Sequence, residues 1–277
     1  EAFAQVKDIQ KSYPVSEDEG EEDNTYLSYN MVVGEAADIN LSLAFEVLDY
    51  ALLSAPGAPL KQALLDAKIG KDIYGSFEDG IKQTYFSIVA KGANLSQKEE
   101  FVKVIRDTLT KIMEEGIDKK AVTAGINYYE FRFREADFSS YPKGLMYGLD
   151  ILSSWLYDDT KPFCEVQLLE GFEFLKKALE EGYFEDLIRK YLLDNTHGAI
   201  LSLVPEKGLA AKRDKELEEK LENYRKSLSD EELTRMVENT KALEAYQESE
   251  EDPEALTCIP MLSREDIKKE ITGLTNE

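Results

Sequence analysis

One histidine, His197, and two cysteines, Cys164 and Cys258, are all the imidazole and thiol in a sequence of 277 residues that carries 56 Asp and Glu. A catalytic zinc site built on two or three imidazoles cannot be assembled from these residues alone. Two thiols so far apart make no Cys-rich metal site either. No catalytic residue and no metal ligand is therefore assigned. His197 stands in Asp194-Asn-Thr-His-Gly198, a turn between a helix end and a strand, where a lone histidine reads as a surface or capping residue. Carboxylates are so numerous that a glycosidase-type pair fits almost anywhere and discriminates nothing. A carboxylate-only enzyme using Mg or Mn ranks last among the readings. Gly34, Gly57, Gly70 and Gly75 spell neither GxGxxG nor a P-loop, and there is no Gly-x-Ser-x-Gly elbow.

The most distinctive local stretch is Tyr128-Tyr-Glu-Phe-Arg-Phe-Arg-Glu-Ala-Asp-Phe-Ser-Ser-Tyr-Pro-Lys-Gly144, which crowds aromatics and two arginines into a helix end and the turn after it. Two readings stand. In one, the aromatics are core and the arginines pair with neighbouring acids. In the other, Arg132, Arg134 and Tyr141 belong to a peptide-facing surface, because aromatics and Arg are favoured where chains are gripped.

These residues must be positioned by regular elements, and the pattern supplies them. Residues 1–23, ending in the acidic run Glu17–Asp23, read as a solvated entry loop. Thr25–Val33 alternates and is rich in β-formers, so it is a strand. Asp38 caps a strongly apolar helix through Leu53. Pro59 opens a short helix around Leu60–Leu65. Lys68–Phe77 and Ile81–Lys91 read as a hairpin turning at Asp79-Gly80. Ser96-Gln-Lys-Glu99 is a capping-box pattern ahead of Phe101, Ile105, Leu109 and Ile112. Asp118 caps the next helix, to about Arg134, and helices follow around Gly144–Tyr157, Glu165–Glu181 and Phe184–Leu193. Gly198–Val204 is a strand ended by Pro205. This order predicts an α/β (α+β) fold: a two-layer domain, residues 1–205, with an antiparallel or mixed sheet and helices on one face. Residues 206–277 turn Glu/Lys/Arg-rich. Leu217, Leu221, Tyr224 and Leu228, then a capping box at Ser229–Glu232 and a second apolar series, predict an antiparallel helical hairpin packed along one narrow seam. Ser263–Asp266 starts a last short helix.

Charge narrows the partners. A formal net charge of -23 excludes a nucleic-acid binder, which needs clustered Lys and Arg, and a protein docked on anionic lipid. No stretch approaches the ~20 apolar residues of a membrane span, and no signal peptide is visible. With two unpaired thiols the chain is placed in a reducing, cytoplasmic compartment. Residue 1 is Glu rather than Met, so the chain is expected to be an excised piece or a processed product.

Tyr26-Leu-Ser-Tyr-Asn, Leu52-Leu-Ser-Ala-Pro-Gly-Ala-Pro-Leu60, the Phe131–Leu145 turn and Asn195–Pro205 together resemble the presequence-protease branch of the insulinase/pitrilysin zinc peptidases. The charged hairpin after Pro205 and the Ile259-Pro-Met-Leu-Ser263 exit resemble the linker between the halves of those enzymes. The resemblance implies four related α/β domains closing a peptide-holding chamber, with the zinc site, an inverted His-x-x-Glu-His, in the first. This chain resembles the second domain plus the linker. If the Asp38–Leu53 helix matches the metal-bearing one, its motif falls near Glu46, Asp49 and Tyr50, where only acids and no imidazole stand. Zinc thus belongs, by resemblance, to the intact enzyme and not to this segment. The implied partners are the remaining domains of the same peptidase and unstructured peptide substrates. A rival from another class is a stand-alone peptide- or protein-binding module derived from an inactive domain.

Overall fold

Alternation along Thr25–Val32 (β2) sends Leu27, Tyr29 and Met31 to one face, and all three are buried. A computed structural model describes residues 2–267 and shows what they pack against. β2 is the middle strand of a five-stranded mixed sheet in the order β1-β5-β2-β4-β3, with β1 Lys7–Val15, β3 Asp72–Glu78, β4 Tyr85–Ala93 and β5 Gly198–Lys207. β1 lies parallel to β5 and the other pairs are antiparallel. The register sets Leu27, Tyr29 and Met31 opposite Ala90, Ile88 and Phe86, so the inward face is continuously apolar.

Helices gather on that face. α1 (Ile39–Asp49) begins where the Asp38 side chain accepts from the Leu41 N–H at 3.2 Å. Leu41, Leu43, Phe45, Val47 and Leu48 are all buried, the mark of a helix surrounded by protein. It packs against β3, α4 (Lys119–Glu135) and α6 (Leu169–Ala178), and passes into a π-helical turn, Tyr50–Ser54, where the Ser54 hydroxyl donates to Asp49 Oδ2 at 3.0 Å. A Cβ on Gly125 of α4 would lie 3.1 Å from the Tyr50 ring and 3.3 Å from Val47, so glycine there lets α4 approach α1 closely. α2 (Pro59–Asp66) and α3 (Lys98–Glu115) complete the first half, α3 burying Phe101, Ile105 and Leu109 at helical spacing. α5 (Lys143–Trp155) and α7 (Tyr183–Leu187) lie to either side of α6 in sequence. The opposite sheet face carries Tyr26, Val89, Leu201 and Leu203, half-buried, and a polar centre in which Asn30 bonds Ser28 Oγ at 2.8 Å and Ser87 Oγ at 2.6 Å.

Several expectations need correction. The entry loop holds a strand, β1, whose mostly exposed residues leave no apolar alternation to read; its partner β5 lies at the far end of the domain. The two-residue turn at Asp79-Gly80 is instead a connection across 79–84. The Thr84 and Ala36 N–H groups donate to the Gly34 and Lys82 carbonyls at 3.1 and 3.0 Å, so 82–84 pair with the exit from β2 rather than continuing a hairpin. The capping box ahead of α3 is formed by Asn94 and Gln97, not by Ser96 and Glu99. β5 runs on through Pro205, because pairing with β2 ends at Leu203 and only β1 continues alongside.

By contacts the chain divides into two compact units, Glu1–Lys212 and Arg213–Glu277. α8 (Leu209–Ser227) and α9 (Asp230–Gln247) meet at a turn closed by the Ser229–Glu232 capping box. The expected seam between them does not form: Leu217, Leu221, Tyr224, Val237, Leu243 and Tyr246 are each more than half exposed. So few apolar residues among so many charges bury too little surface to hold two helices together. α10 (Pro253–Leu256) follows, and Ser263 caps a 3-10 turn, Arg264–Asp266; the remainder of the predicted last helix lies outside the described residues. No helix among the described residues is long and apolar enough to cross a membrane.

Candidate functional site

α1, α4, α5, the connection 79–84 and the short turn Cys164–Val166 surround a cavity of about 310 Å³ in the first unit. Its walls are apolar where Leu43, Phe133 and Phe172 line it, and acidic where each element contributes a carboxylate: Glu46 from α1, Asp79 from the connection, Asp150 from α5 and Glu165 from the turn. Arg132 of α4 is the cation on its lining. Its guanidinium lies over the Tyr128 ring, 5.7 Å from the centroid, and donates to the Tyr128 hydroxyl at 3.4 Å.

Crowding like charges in a partly dry space makes ionisation costly. Burial, then Asp79 and Glu165, push the Glu46 carboxyl up to about 8, with Arg132 opposing. Burial followed by Asp79 and Asp150 raises Glu165 to about 7. Asp79 and Asp150 are raised as well, each chiefly by burial. Tyr129, on the same wall, is held protonated by burial and by Glu46 and Asp49. At neutral pH the site is thus short of positive charge, and its acids retain protons that a cation would displace.

The backbone beside the cavity is strained. α4 ends in Ala136 with φ of 47°, and Ser139 follows with φ of 56°, both in the left-handed region that costs a residue with a Cβ. The two stand in the aromatic-rich turn that drew attention in the sequence.

Of the three residues expected on a peptide-facing surface, Arg132 lines the cavity, whereas Arg134 and Tyr141 do not. Arg134 pairs with Glu130 at 2.6 Å, and Glu130 also holds Lys176 at 2.7 Å, so this arginine ties α4 to α6. Tyr141 is 63% exposed on the turn before α5. Asp79, Asp150 and Glu165 were missed because nothing in their own neighbourhoods marks them; the signal present was Asp150, the lone acid in an otherwise apolar helix. His197 is structural: its N–H donates to Asn195 Oδ1 at 2.8 Å, and its Nδ1 accepts from the Phe3 N–H at 3.4 Å.

The donor set does not suit zinc. On α1, Glu46 faces the cavity and Asp49 is engaged by Ser54, while no imidazole or thiol accompanies them. The carboxylates ring the cavity without converging: among the described residues no three His, Cys, Asp or Glu side chains form a group that could hold a metal ion.

A mixed sheet with helices on one face, and a central helix bearing acids where a metal-binding helix would bear imidazoles, define a peptidase-like domain without zinc ligands. Residues 1–129 match the family described as Peptidase M16 inactive domain, and residues 203–277 match the family described as associated with peptidase M16, subgroup C. The chain is 43% identical over 276 residues to Protein HypA of Clostridium perfringens, covering 100% of this chain and 28% of that protein. It is 32% identical over 281 residues to Presequence protease 1, chloroplastic/mitochondrial, of Arabidopsis thaliana, covering 99% of this chain and 26% of that protein. Its fold is similar to the crystal structure of a protease from Helicobacter pylori, with a TM-score of 0.50 and 15% identity over 72% of this chain and 45% of that one. The chain belongs to the M16 peptidases of the presequence-protease branch, as an inactive domain followed by the subgroup C associated region, and spans just over a quarter of the length of these two relatives.

Proposed function

We propose that this chain is a non-catalytic part of a zinc-dependent, oligopeptide-degrading metallopeptidase. Residues 1–205 form part of the wall of its substrate chamber, and 206–277 link its two halves. The zinc and the water it activates are supplied by another domain of the intact enzyme, and this segment contributes none of their ligands. The observation that carries the reading is the cavity: four carboxylates from four elements face one guanidinium, on the helix where a catalytic sister domain would place its metal motif. Such a wall favours basic, unstructured peptides by raising their local concentration and accepting a cationic side chain. Two free thiols suit a reducing compartment, and we place the enzyme in the cytoplasm.

The test is hydrolysis of a lysine-rich oligopeptide by the intact enzyme over a salt series. kcat/KM for the cationic peptide is expected to fall as salt rises while a neutral peptide changes little, because screening weakens attraction between exposed charges. Glu165→Gln should raise KM for the cationic peptide alone. Salt-independent turnover of both peptides refutes the reading. A reading frame that starts and stops near residues 1 and 277 refutes it in favour of a stand-alone binding module.

A further inference from the structure

α5 differs from the rest of the chain in what it leaves in water. Leu145, Leu149 and Leu152, with Leu156 at its C-cap, recur at spacings of four, three and four, one stripe of an α-helix. They are 53%, 51%, 39% and 67% exposed, and Trp155 beside them is 47% exposed. The helix holds two charged residues, Lys143 and Asp150, in a chain that is 32% charged, and Asp150 lines the cavity. The stripes of α8 and α9 are as exposed, but they run between Lys, Arg and Glu and read as solvated faces. Exposed aliphatic and aromatic side chains with charge removed from around them have the composition of an interface core.

We propose that the α5 stripe is covered by another part of the longer polypeptide to which this chain belongs, a segment that presents an apolar surface with little negative charge. The proposal rests on the functional reading above. Two observations choose this occupant. The relatives are nearly four times as long, since the chain covers 28% and 26% of them, so further folded chain is at hand in the same molecule. A second copy is a poor occupant because each copy carries a net charge of -23, and like charge opposes close approach.

The test places a thiol on the stripe, Leu149→Cys and separately Leu152→Cys, in both the 277-residue chain and the intact polypeptide. Maleimide labelling is followed at that residue by peptide mass, so that Cys164 and Cys258 are counted apart. Each rate is normalised to the same variant unfolded in guanidinium. The site is expected to label at least tenfold more slowly in the intact polypeptide than in the 277-residue chain. Equal rates in the two overturn the proposal. Slow labelling already in the short chain also overturns it, light scattering then telling cover by its own residues (monomer) from cover by a second copy (dimer). A reading frame confined to these residues defeats the functional reading, whereas a longer one in which residue 149 labels freely defeats the stripe alone.

Discussion

Replacing Glu46 with Gln should flatten the dependence of stability on pH. The Glu46 carboxyl is half-buried and its pKa rises from the ordinary 4.5 to about 8, burial being the larger cause and Asp79 and Glu165 the next. In the unfolded chain the group ionises at its ordinary value. Between the two values, folding must take up a proton that the unfolded chain has released. An acid whose pKa is raised on folding is therefore tolerated fully only below the unfolded value, and stability falls as pH rises through the folded one. For this one group the penalty is about 1 kcal/mol at pH 5 and about 3 kcal/mol at pH 7. Gln carries the same shape without the titration, so whatever constant cost its amide brings, the gap between variant and parent should widen by about 2 kcal/mol from pH 5 to pH 7. At roughly 2–4 °C per kcal/mol for a domain of this size, that widening is about 4–8 °C in Tm. Thermal melts of both proteins at pH 5, 6, 7 and 8, at fixed ionic strength, measure it. A gap that stays constant across the series would show that Glu46 ionises at its ordinary value and that the cavity is wetter than its walls imply.

Two further substitutions probe the framework. Gly198 sits where β5 pairs with Met31, and a Cβ there would lie 2.4 Å from the Asn30 carbonyl oxygen and 2.3 Å from Met31 Sδ; Gly198→Ala should cost about 1–3 kcal/mol in urea denaturation, and an unchanged midpoint would contradict that close approach. Ser229→Ala removes the hydroxyl that accepts from the Glu232 N–H at 3.2 Å at the start of α9. It should weaken the first turn by about 1 kcal/mol, seen as roughly fivefold faster amide exchange around residues 231–234.

How much was legible depends on how local each determinant is. α1 and α4 were readable because their start signals, Asp38 and Asp118, lie two or three residues from the N–H groups they cap. β1 was not. Its exposed residues carry no alternation, and what makes it a strand is β5, contributed by residues 198–207. The helical hairpin was readable as two helices and a capped turn, yet the seam inferred from its apolar series did not form. Within the site, Arg132 was singled out for its aromatic company and does line the cavity, whereas Arg134 from the same stretch serves an ion-pair network between helices.

The sequence by itself determined what this chain has to offer: one imidazole, two thiols, a large excess of carboxylates, and apolar periodicities that suffice for a sheet backed by helices. Those are properties of residue type and of spacing within a few positions, and no folding can alter them. Only the tertiary structure decided which four of 56 acids would meet and how strongly each would resist ionisation. The reason is physical: the free energy of a carboxyl's charge depends on the water it loses and the charges brought near it, and in this fold both are set by elements far apart along the chain.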